Sequence, residues 1–176
     1  MPHLALPPYV HNFPAPALLI GCGTVDQPNL ITCSWFGVVC SEPPHVSVAI
    51  RPSRYSHSLI SSSGEFTVNV PTIEQLDVVK HCGAVSGRDE NKVESAGWSA
   101  VACPPLTRAP MIEQVPIVLA CAVRETKELG SHTLFIGEVL QVYGDEEIVR
   151  KSNRVDPLSS RQIVYLDGRY WTLSPV

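Results

Sequence analysis

The stretch of sequence that decides the fold runs from Asn29 to Ile60 and reads NLITCSWFGVVCSEPPHVSVAIRPSRYSHSLI. It predicts a strand, a turn at Pro43-Pro44, a second strand, and a polar loop that leads into a short helix. In the second strand, Val46, Val48 and Ile50 alternate with smaller residues and therefore share one face. Two strands joined by a short turn predict an antiparallel sheet at the centre of the fold.

The polar loop of this stretch carries two arginines and two serines, which are Arg51, Ser53, Arg54 and Ser56. A loop of this kind before a helix start can hold a phosphate, because free backbone N–H groups and two guanidinium groups converge on one anion. Trp35, at the end of the first strand, could cover a flat ring. A phosphate site beside a flat-ring site indicates a nucleotide-like cofactor.

Each of these residues also has an ordinary structural interpretation. The loop can equally be a solvated segment in which a serine caps the helix, and a lone Trp35 is more often a core aromatic. Lys92 alone is typical of a surface charge, and His132 alone is typical of a structural histidine. The chain contains neither a P-loop nor a G-x-G-x-x-G pattern, so no nucleotide fingerprint decides between the two interpretations.

The composition is that of a compact globular protein, with 176 residues, 44% hydrophobic and 17% charged. This length predicts one domain over residues 1–176, in which the proline-rich residues 1–16 form an extended arm. The net charge of −4 argues against nucleic-acid binding. No apolar run approaches the roughly 20 residues of a membrane span, and the N-terminus lacks the features of a secretory signal.

The six cysteines include no C-x-x-C pair and match no zinc-site spacing. Several of them fall in apolar strands, as free buried thiols do. We therefore expect a reduced, cytoplasmic protein without a metal site. A disulfide framework, or a metal site built from the six cysteines and six histidines, is the minority alternative.

Hairpin patterns dominate the rest of the chain. Seven or eight short strands are predicted, including residues 17–23, 30–35, 66–70, 117–123, 132–142, 164–166 and 169–173. Asp167-Gly168 predicts a tight turn between the last two, and Asp145 to Arg150 is predicted to return briefly as a strand. The absence of a strand–helix–strand alternation predicts a mainly β, antiparallel barrel with small helical insertions.

Two or three short helical insertions are predicted. The first covers Ser53 to Ser61 and ends before Gly64. The second starts at a capping box formed by Thr72 and Gln75 and runs to about Cys82, where Gly83 stops it. The third is a helical turn capped by Asp89.

The order of these motifs resembles the flavin reductase-like, FMN-binding split-barrel family, and the flavoredoxin branch within it. The resemblance spans about residues 15 to 173, and its ordered set of motifs is specific although each motif is short. The segments that carry it are Asn29 to Trp35, Pro43-Pro44, Val46 to Ser56, Phe66 to Val70, Ser86 to Lys92, and Gly130 to Val139.

The resemblance implies an antiparallel split β-barrel that holds FMN non-covalently at the interface of a homodimer. The segment Thr32, Cys33, Ser34 and Trp35 would border the isoalloxazine ring, and Arg51, Ser53, Arg54 and Ser56 would bind the phosphate. Further cofactor contacts are implied for Asn69, Lys92, His132 and Tyr165. A cation or N–H dipole fixed near N1 of such a ring stabilises its reduced state.

Two roles are compatible with a site of this kind. One is an NAD(P)H-dependent flavin reductase that takes hydride from NADH or NADPH and supplies reduced flavin to a partner oxygenase. The other is a flavoredoxin-type electron carrier with tightly bound FMN and a protein donor. Cys33 is interpreted as a small packing residue and not as a reactive thiol. A cofactor-free β-barrel that acts as a binding module is the alternative of another class.

Overall fold

The computed structural model describes residues 3–10, 13–150, 152–156 and 158–175, and three antiparallel sheets form its framework. Its strands are β1 (Ala15–Pro16), β2 (Leu18–Gly23), β3 (Pro28–Cys33), β4 (Phe36–Ser41), β5 (Pro44–Ile50), β6 (Glu65–Val70), β7 (Ala100–Val101), β8 (Met111–Ile112), β9 (Ile117–Leu129), β10 (His132–Gly144), β11 (Ile163–Leu166) and β12 (Arg169–Thr172). The largest sheet has seven strands in the order β3-β2-β6-β9-β10-β5-β4, and the smaller sheets are β1-β11-β12 and β7-β8. The predicted mainly β, antiparallel fold with small helical insertions is confirmed.

Strands β3 and β4 follow each other in the sequence but form the two opposite edges of the seven-stranded sheet. Ser34 and Trp35 alone separate them, and a link of this length spans on the order of 10 Å. The sheet must therefore curl until its two edges meet at this link. The backbone N–H of Ala49 on β5 donates to the carbonyl of Trp35 at 3.0 Å and fixes the link against β5. The single apolar strand predicted before the Pro43-Pro44 turn is thus two strands.

The apolar core fills the concave side of the curled sheet. The predicted inward face of β5 is confirmed, since Val46, Val48 and Ile50 are all buried. Phe66 and Phe135 are the largest side chains that are fully buried there. A second apolar cluster lies under the helical insertions and includes Leu19, Leu30, Val79, Ile112 and Ile163. Burial of such side chains supplies most of the stabilisation of a fold of this size.

The first helix, α1, covers Tyr55–Ser63 and ends at Gly64, whose φ of 69° lies in the left-handed region. The predicted start at Ser53 is wrong by two residues. The backbone N–H of Arg54 donates to the carbonyl of Arg51 at 3.0 Å, so residues 51–54 form a turn instead of a helical start. The basic loop therefore stays outside the helix.

The second helix begins with the predicted capping box at Thr72 and Gln75, which is confirmed. Its first turn is a 3₁₀ helix over Ile73–Gln75, and α2 then covers Leu76–Ala84. Gly83 lies inside α2 and does not stop it. A Cβ at Gly83 would contact the Thr32 side chain at 3.4 Å, so the small residue lets the helix lie close to β3.

The short helix α3 covers Lys92–Ser95, and its cap is Asn91 instead of the predicted Asp89. The Asn91 side chain accepts hydrogen bonds from the backbone N–H groups of Val93 and Glu94, both at 3.3 Å. The backbone N–H of Asp89 instead closes a turn on the carbonyl of Ser86.

Strands β9 and β10 form a hairpin of two 13-residue strands, longer than the sequence pattern predicts. Apolar alternation in β9 ends at Val123, but backbone pairing continues through exposed polar residues to Leu129. The predicted strand from Asp145 to Arg150 is wrong. That segment is a turn in which the Asp145 side chain accepts the Glu147 N–H, and it forms one isolated bridge.

The C-terminal hairpin is confirmed, with β11 and β12 joined by Asp167 (φ 47°) and Gly168 (φ 79°). Strand β1, which is the last two residues of the predicted arm, pairs with β11 and ties the end of the arm to this hairpin. Residues 3–10 of that arm are exposed, whereas residues 1–2 and 11–12 lie outside the described residues. Within the described ranges, no helix has the length and apolar character needed to cross a membrane.

Glu65, at the start of β6, holds the loop that follows Leu106. Its carboxylate accepts hydrogen bonds from the backbone N–H groups of Thr107 (3.0 Å), Arg108 (2.7 Å) and Ala109 (3.0 Å), and from the Thr107 hydroxyl. Partial burial acts to raise the pKa of Glu65, but these hydrogen bonds outweigh it and leave the pKa below its usual value. The ionised carboxylate is therefore the form that the fold stabilises.

We expect Glu65→Gln to lower the free energy of unfolding by about 1–3 kcal/mol at pH 7, because the amide leaves some of these N–H groups without an acceptor. Since the folded state holds the Glu65 pKa below its unfolded value, this stabilisation is complete above the unfolded pKa and disappears as the pH falls through the folded pKa. Urea unfolding between pH 3 and 8 measures the difference. Glu128→Gln, at an exposed position, is the control, and a Glu65→Gln effect no larger than that of Glu128→Gln would contradict the expectation.

Candidate functional site

Seven of the predicted site residues line one polar pocket at the point where the two edges of the large sheet meet. This ring pocket has a volume of about 150 Å³. Its predicted members are Thr32, Cys33, Ser34, Trp35, Arg51, Arg54 and His132. The end of β3, the link to β4, the loop after β5 and the start of β10 each contribute to it. The curl of the sheet brings these four segments together.

The remaining predicted phosphate ligands line a second polar pocket of about 340 Å³, here called the anion pocket. It contains Ser53, Ser56 and Lys92. Arg54 lines both pockets, so they are adjacent. The four residues of the predicted phosphate clamp therefore lie along one continuous polar surface.

Trp35 and His132 form a stacked pair on the wall of the ring pocket. Their ring centroids are 4.1 Å apart and the ring planes are inclined by 25°. The Ser131 hydroxyl lies 2.8 Å from Nδ1 of His132 and orients the imidazole. Burial, together with the nearby charge of Arg51, lowers the pKa of His132. The imidazole is therefore neutral at pH 7 and can exchange one hydrogen bond through Nε2.

Lys92 is a buried cation in the anion pocket, with 3% of its surface exposed. Its ammonium donates to the carbonyl oxygens of Cys82 at 3.3 Å and Val85 at 3.1 Å. Among the described residues, no carboxylate lies within ion-pair distance of it; Glu90, two residues away in the sequence, pairs with His81 at 2.8 Å. Burial lowers the pKa of Lys92 because the charged form loses its hydration. A bound anion would compensate this charge.

Asn29 is a residue of the anion pocket that the sequence analysis did not select. It is 4% exposed, and its Nδ2 donates to the Ser56 hydroxyl at 2.7 Å. Its Oδ1 is buried and accepts no hydrogen bond from a described residue. A Cβ at Gly87 would lie 1.8 Å from this oxygen, so only glycine fits there. The position of a polar residue at the start of a buried strand was the signal that could have identified Asn29.

Arg88 is the second residue that the sequence analysis did not select. It lies in the Ser86 to Lys92 motif and lines the anion pocket. Its guanidinium donates to the carbonyl of Ser53 at 3.2 Å and lies over the Tyr55 ring, 5.2 Å from the centroid. It thus supports the loop that carries the predicted phosphate ligands.

Asn69 is one of two predicted site residues, with Tyr165, that the structure does not bring to either polar pocket. It is fully buried on β6, where Nδ2 donates to the Leu19 carbonyl and the Thr67 hydroxyl, while Oδ1 accepts the Ile112 N–H. The bonds to Leu19 on β2 and Ile112 on β8 hold neighbouring strands to β6, whereas the bond to Thr67 lies within β6. The alternation of β6 could not reveal this, because both faces of the strand are buried.

Tyr165 lies in a third space, here called the apolar cavity, which lies between the β1-β11-β12 sheet and the large sheet. The cavity has a volume of about 410 Å³ and shares Ser34, Trp35 and Ala49 with the ring pocket. The Tyr165 ring packs edge-on against Tyr170 at 5.2 Å. Tyr165 is therefore separated from the phosphate ligands by the Ser34–Trp35 link.

Cys33 lies in the ring pocket but is buried, and this burial raises the pKa of its thiol to about 11. The thiol is therefore protonated at neutral pH and a poor nucleophile. All six cysteines are free thiols. Among the described residues, no group of three or more His, Cys, Asp or Glu side chains is arranged to hold a metal ion.

Comparisons with known proteins agree with this geometry. The sequence model of the family described as Flavin reductase like domain matches residues 10–174. The chain is 42% identical over 134 residues to an uncharacterized protein of Archaeoglobus fulgidus, which covers 76% of this chain and 75% of that protein. It is 26% identical to the reductase component of FADH(2)-dependent resorcinol hydroxylase from Rhizobium sp., over 94% of this chain and 84% of that protein.

Among solved structures, the flavoredoxin from Methanosarcina acetivorans superposes with a TM-score of 0.92 at 27% identity. The superposition covers all of this chain and 94% of the flavoredoxin. The predicted split-barrel architecture is thereby confirmed. With a family match over nearly its whole length and a flavoredoxin-like backbone, the chain belongs to the flavin reductase-like domain family.

Proposed function

We propose that the protein binds FMN non-covalently and passes reducing equivalents through it. The observation that carries this proposal is the buried ammonium of Lys92, which has no carboxylate partner among the described residues and lines a pocket with Arg54, Ser53 and Ser56. Burying an uncompensated charge destabilises a fold by several kcal/mol. A site of this kind therefore fits a tightly held anion such as the FMN phosphate.

The remaining groups of the anion pocket fit the rest of an FMN tail. Ser53 and Ser56 provide hydroxyl donors beside the two cations. The unsatisfied Oδ1 of Asn29 is a buried acceptor, and a hydroxyl group of the ribityl chain would supply the donor that it lacks. Glycine at position 87 leaves room for this oxygen, because a Cβ there would lie 1.8 Å from Asn29 Oδ1.

The ring pocket fits the flat part of the same cofactor. The Trp35–His132 pair presents an aromatic wall, and Arg51 adds a cation beside it. When bound, FMN supplies hydride and single-electron chemistry that no side chain can perform. The chain's own contribution is to bind and orient: the link residues border the ring, the cations hold the phosphate, and the neutral His132 offers one hydrogen bond.

We expect Lys92→Met to weaken FMN binding at least tenfold, because the variant removes the cation that the phosphate compensates while keeping a side chain of similar length. Riboflavin, which lacks the phosphate, should bind equally well to the wild type and the variant. Quenching of flavin fluorescence during titration measures both affinities.

Lys80→Met provides the matched control, since Lys80 is an exposed lysine that makes a 3.8 Å surface ion pair with Asp77. Equal loss of FMN and riboflavin affinity in Lys92→Met would place Lys92 outside the phosphate site. A wild-type protein that neither quenches FMN fluorescence nor shows a flavin absorption spectrum after gel filtration would favour the cofactor-free binding module instead.

Two roles remain inside this proposal, and a relative supports each. The similarity to a reductase component supports an NAD(P)H-dependent flavin reductase that serves an oxygenase partner. The similarity to flavoredoxin supports an electron carrier with tightly bound FMN and a protein donor. We place the reductase first, because the ring pocket is open at its edge to the apolar cavity and to solvent, which leaves room for a nicotinamide donor.

We expect the protein with added FMN to oxidise NADH or NADPH in a steady-state assay followed at 340 nm. The Lys92→Met variant should show a higher KM for FMN than for riboflavin, because only FMN uses the lysine. Turnover with neither nicotinamide, in a protein that nevertheless retains FMN, would identify the electron carrier as the correct role.

We further propose that the protein is a homodimer. An exposed apolar face on β4 and β10 supports this, with Val38, Val39, Leu140 and Val142 on its surface beside a groove of about 430 Å³. Val38 is 79% exposed, which is unusual for an aliphatic residue in a strand. Contiguous apolar surface of this kind marks interfaces between proteins.

We expect light scattering to give a mass twice the 19.2 kDa of the chain. Val142→Lys should shift the protein toward the monomer, since it puts a charge in the apolar face. Val25→Lys, at an exposed valine in the β2–β3 turn, should leave the mass unchanged. A monomeric wild type at micromolar concentration would exclude the homodimer.

A further inference from the structure

We propose that the apolar cavity is a binding site for an uncharged, planar, aromatic molecule, distinct from the sites for phosphate and ring. Its volume of about 410 Å³ lies within the range of small-molecule sites in proteins, roughly 300–1,000 Å³. The cavity is bounded by parts of two sheets and by Val10, Phe13 and Pro14 of the N-terminal arm.

Small residues of β4 and β5 create the space. Gly37 pairs with Ser47, and Ala49 pairs with Leu134, on the face of the sheet opposite the buried valines of β5. A Cβ at Gly37 would meet just one atom, the Ser47 hydroxyl oxygen at 3.5 Å. The floor of the cavity is therefore open at position 37, and a larger side chain would extend into it without a backbone clash.

Aromatic side chains make up much of the walls. Trp35 stands on the side of the large sheet, Tyr165 stands on the side of the small sheet, and Phe13 comes from the N-terminal arm. Aromatic faces prefer flat partners, which they contact by offset stacking or edge to face. A planar ligand fits this lining better than a globular aliphatic one.

The charge of the lining selects against anions. Among the described residues that line the cavity, Asp167 is the one that is charged at neutral pH, and no lysine or arginine lines it. The cations of this region, Arg51, Arg54 and Lys92, all belong to the two polar pockets. An anionic ligand is therefore attracted to the polar pockets. A neutral ring system has no charge to remove from water when it enters the apolar cavity.

The position of the cavity indicates the role of its ligand, and this role rests on the proposed function. Ser34, Trp35 and Ala49 border both the apolar cavity and the ring pocket. A ligand in the cavity would lie beside the flavin, where a reaction partner of the flavin must bind. The ligand class is thus a neutral aromatic compound that the bound cofactor can reach.

Calorimetric titration with a matched pair of probes tests this site. At pH 7, 2-naphthol is neutral and naphthalene-2-sulfonate carries one negative charge on the same ring system. We expect 2-naphthol to bind once per chain, in the presence and absence of FMN, and the sulfonate to bind at least tenfold more weakly. Asp167→Asn should improve sulfonate binding several-fold without changing 2-naphthol, and asparagine tolerates the φ of 47° at this turn.

Gly37→Leu should fill the cavity and weaken 2-naphthol binding at least tenfold while FMN affinity stays within twofold. Val25→Leu, at the exposed valine of the β2–β3 turn and outside the cavity, is the control and should change neither. The proposal fails if Gly37→Leu leaves 2-naphthol binding intact, if 2-naphthol and FMN displace each other, or if 2-naphthol does not bind because a partner subunit fills the cavity. If FMN does not bind but 2-naphthol binding still responds to Gly37→Leu, the proposed function fails and the aromatic site stands.

Discussion

The two-residue link of Ser34 and Trp35 is the constraint on which the rest of the structure depends. It connects strands at opposite edges of a seven-stranded sheet, and so the sheet cannot stay open. The same curl gathers the end of β3, the loop after β5 and the start of β10 at one place. Fold and site therefore have one cause, because the residues that close the sheet also border the ring pocket and the apolar cavity.

Much of this fold could be predicted from the sequence, because its signals are local. The alternation of β5, the capping box at Thr72 and the Asp167-Gly168 turn each depend on a few adjacent residues, and each is confirmed. The split between β3 and β4 was missed, since apolar residues continue through the link and only pairing with distant strands separates them. The outer half of β9 was missed because its side chains are polar, while its pairing with β10 is made by the backbone.

The candidate site was predictable to a similar degree. The basic loop, the link and Lys92 were identified from their motifs, and the structure brings them to adjacent pockets. Asn69 was selected with them, but its hydrogen bonds hold strands together, and one-dimensional patterns cannot distinguish a buried amide that binds a ligand from one that binds the backbone. The same limit explains why Asn29 was missed, since its unsatisfied oxygen becomes visible only when all its neighbours are known.

Lys92 illustrates how such a site affects the protein that carries it. A buried ammonium held by two carbonyl oxygens is less stable than a hydrated one. The folded protein is therefore destabilised when the anion pocket is empty, and a bound anion removes this destabilisation. Ligands that bind the folded state alone stabilise it in proportion to the logarithm of their concentration. The stability of the folded protein is in this way coupled to the occupancy of the anion pocket.

The long β9–β10 hairpin affects how the protein associates with other protein chains. Strand β6 accompanies β9 as far as Ala122, so the backbone of the following residues has a partner strand on one side alone. An unpaired strand edge is a template for adding strands from other chains, which is how ordered aggregates grow. The charged side chains from Arg124 to Glu128 oppose such growth, because an incoming strand would have to remove them from water. The hairpin can therefore extend away from the core without making the protein insoluble.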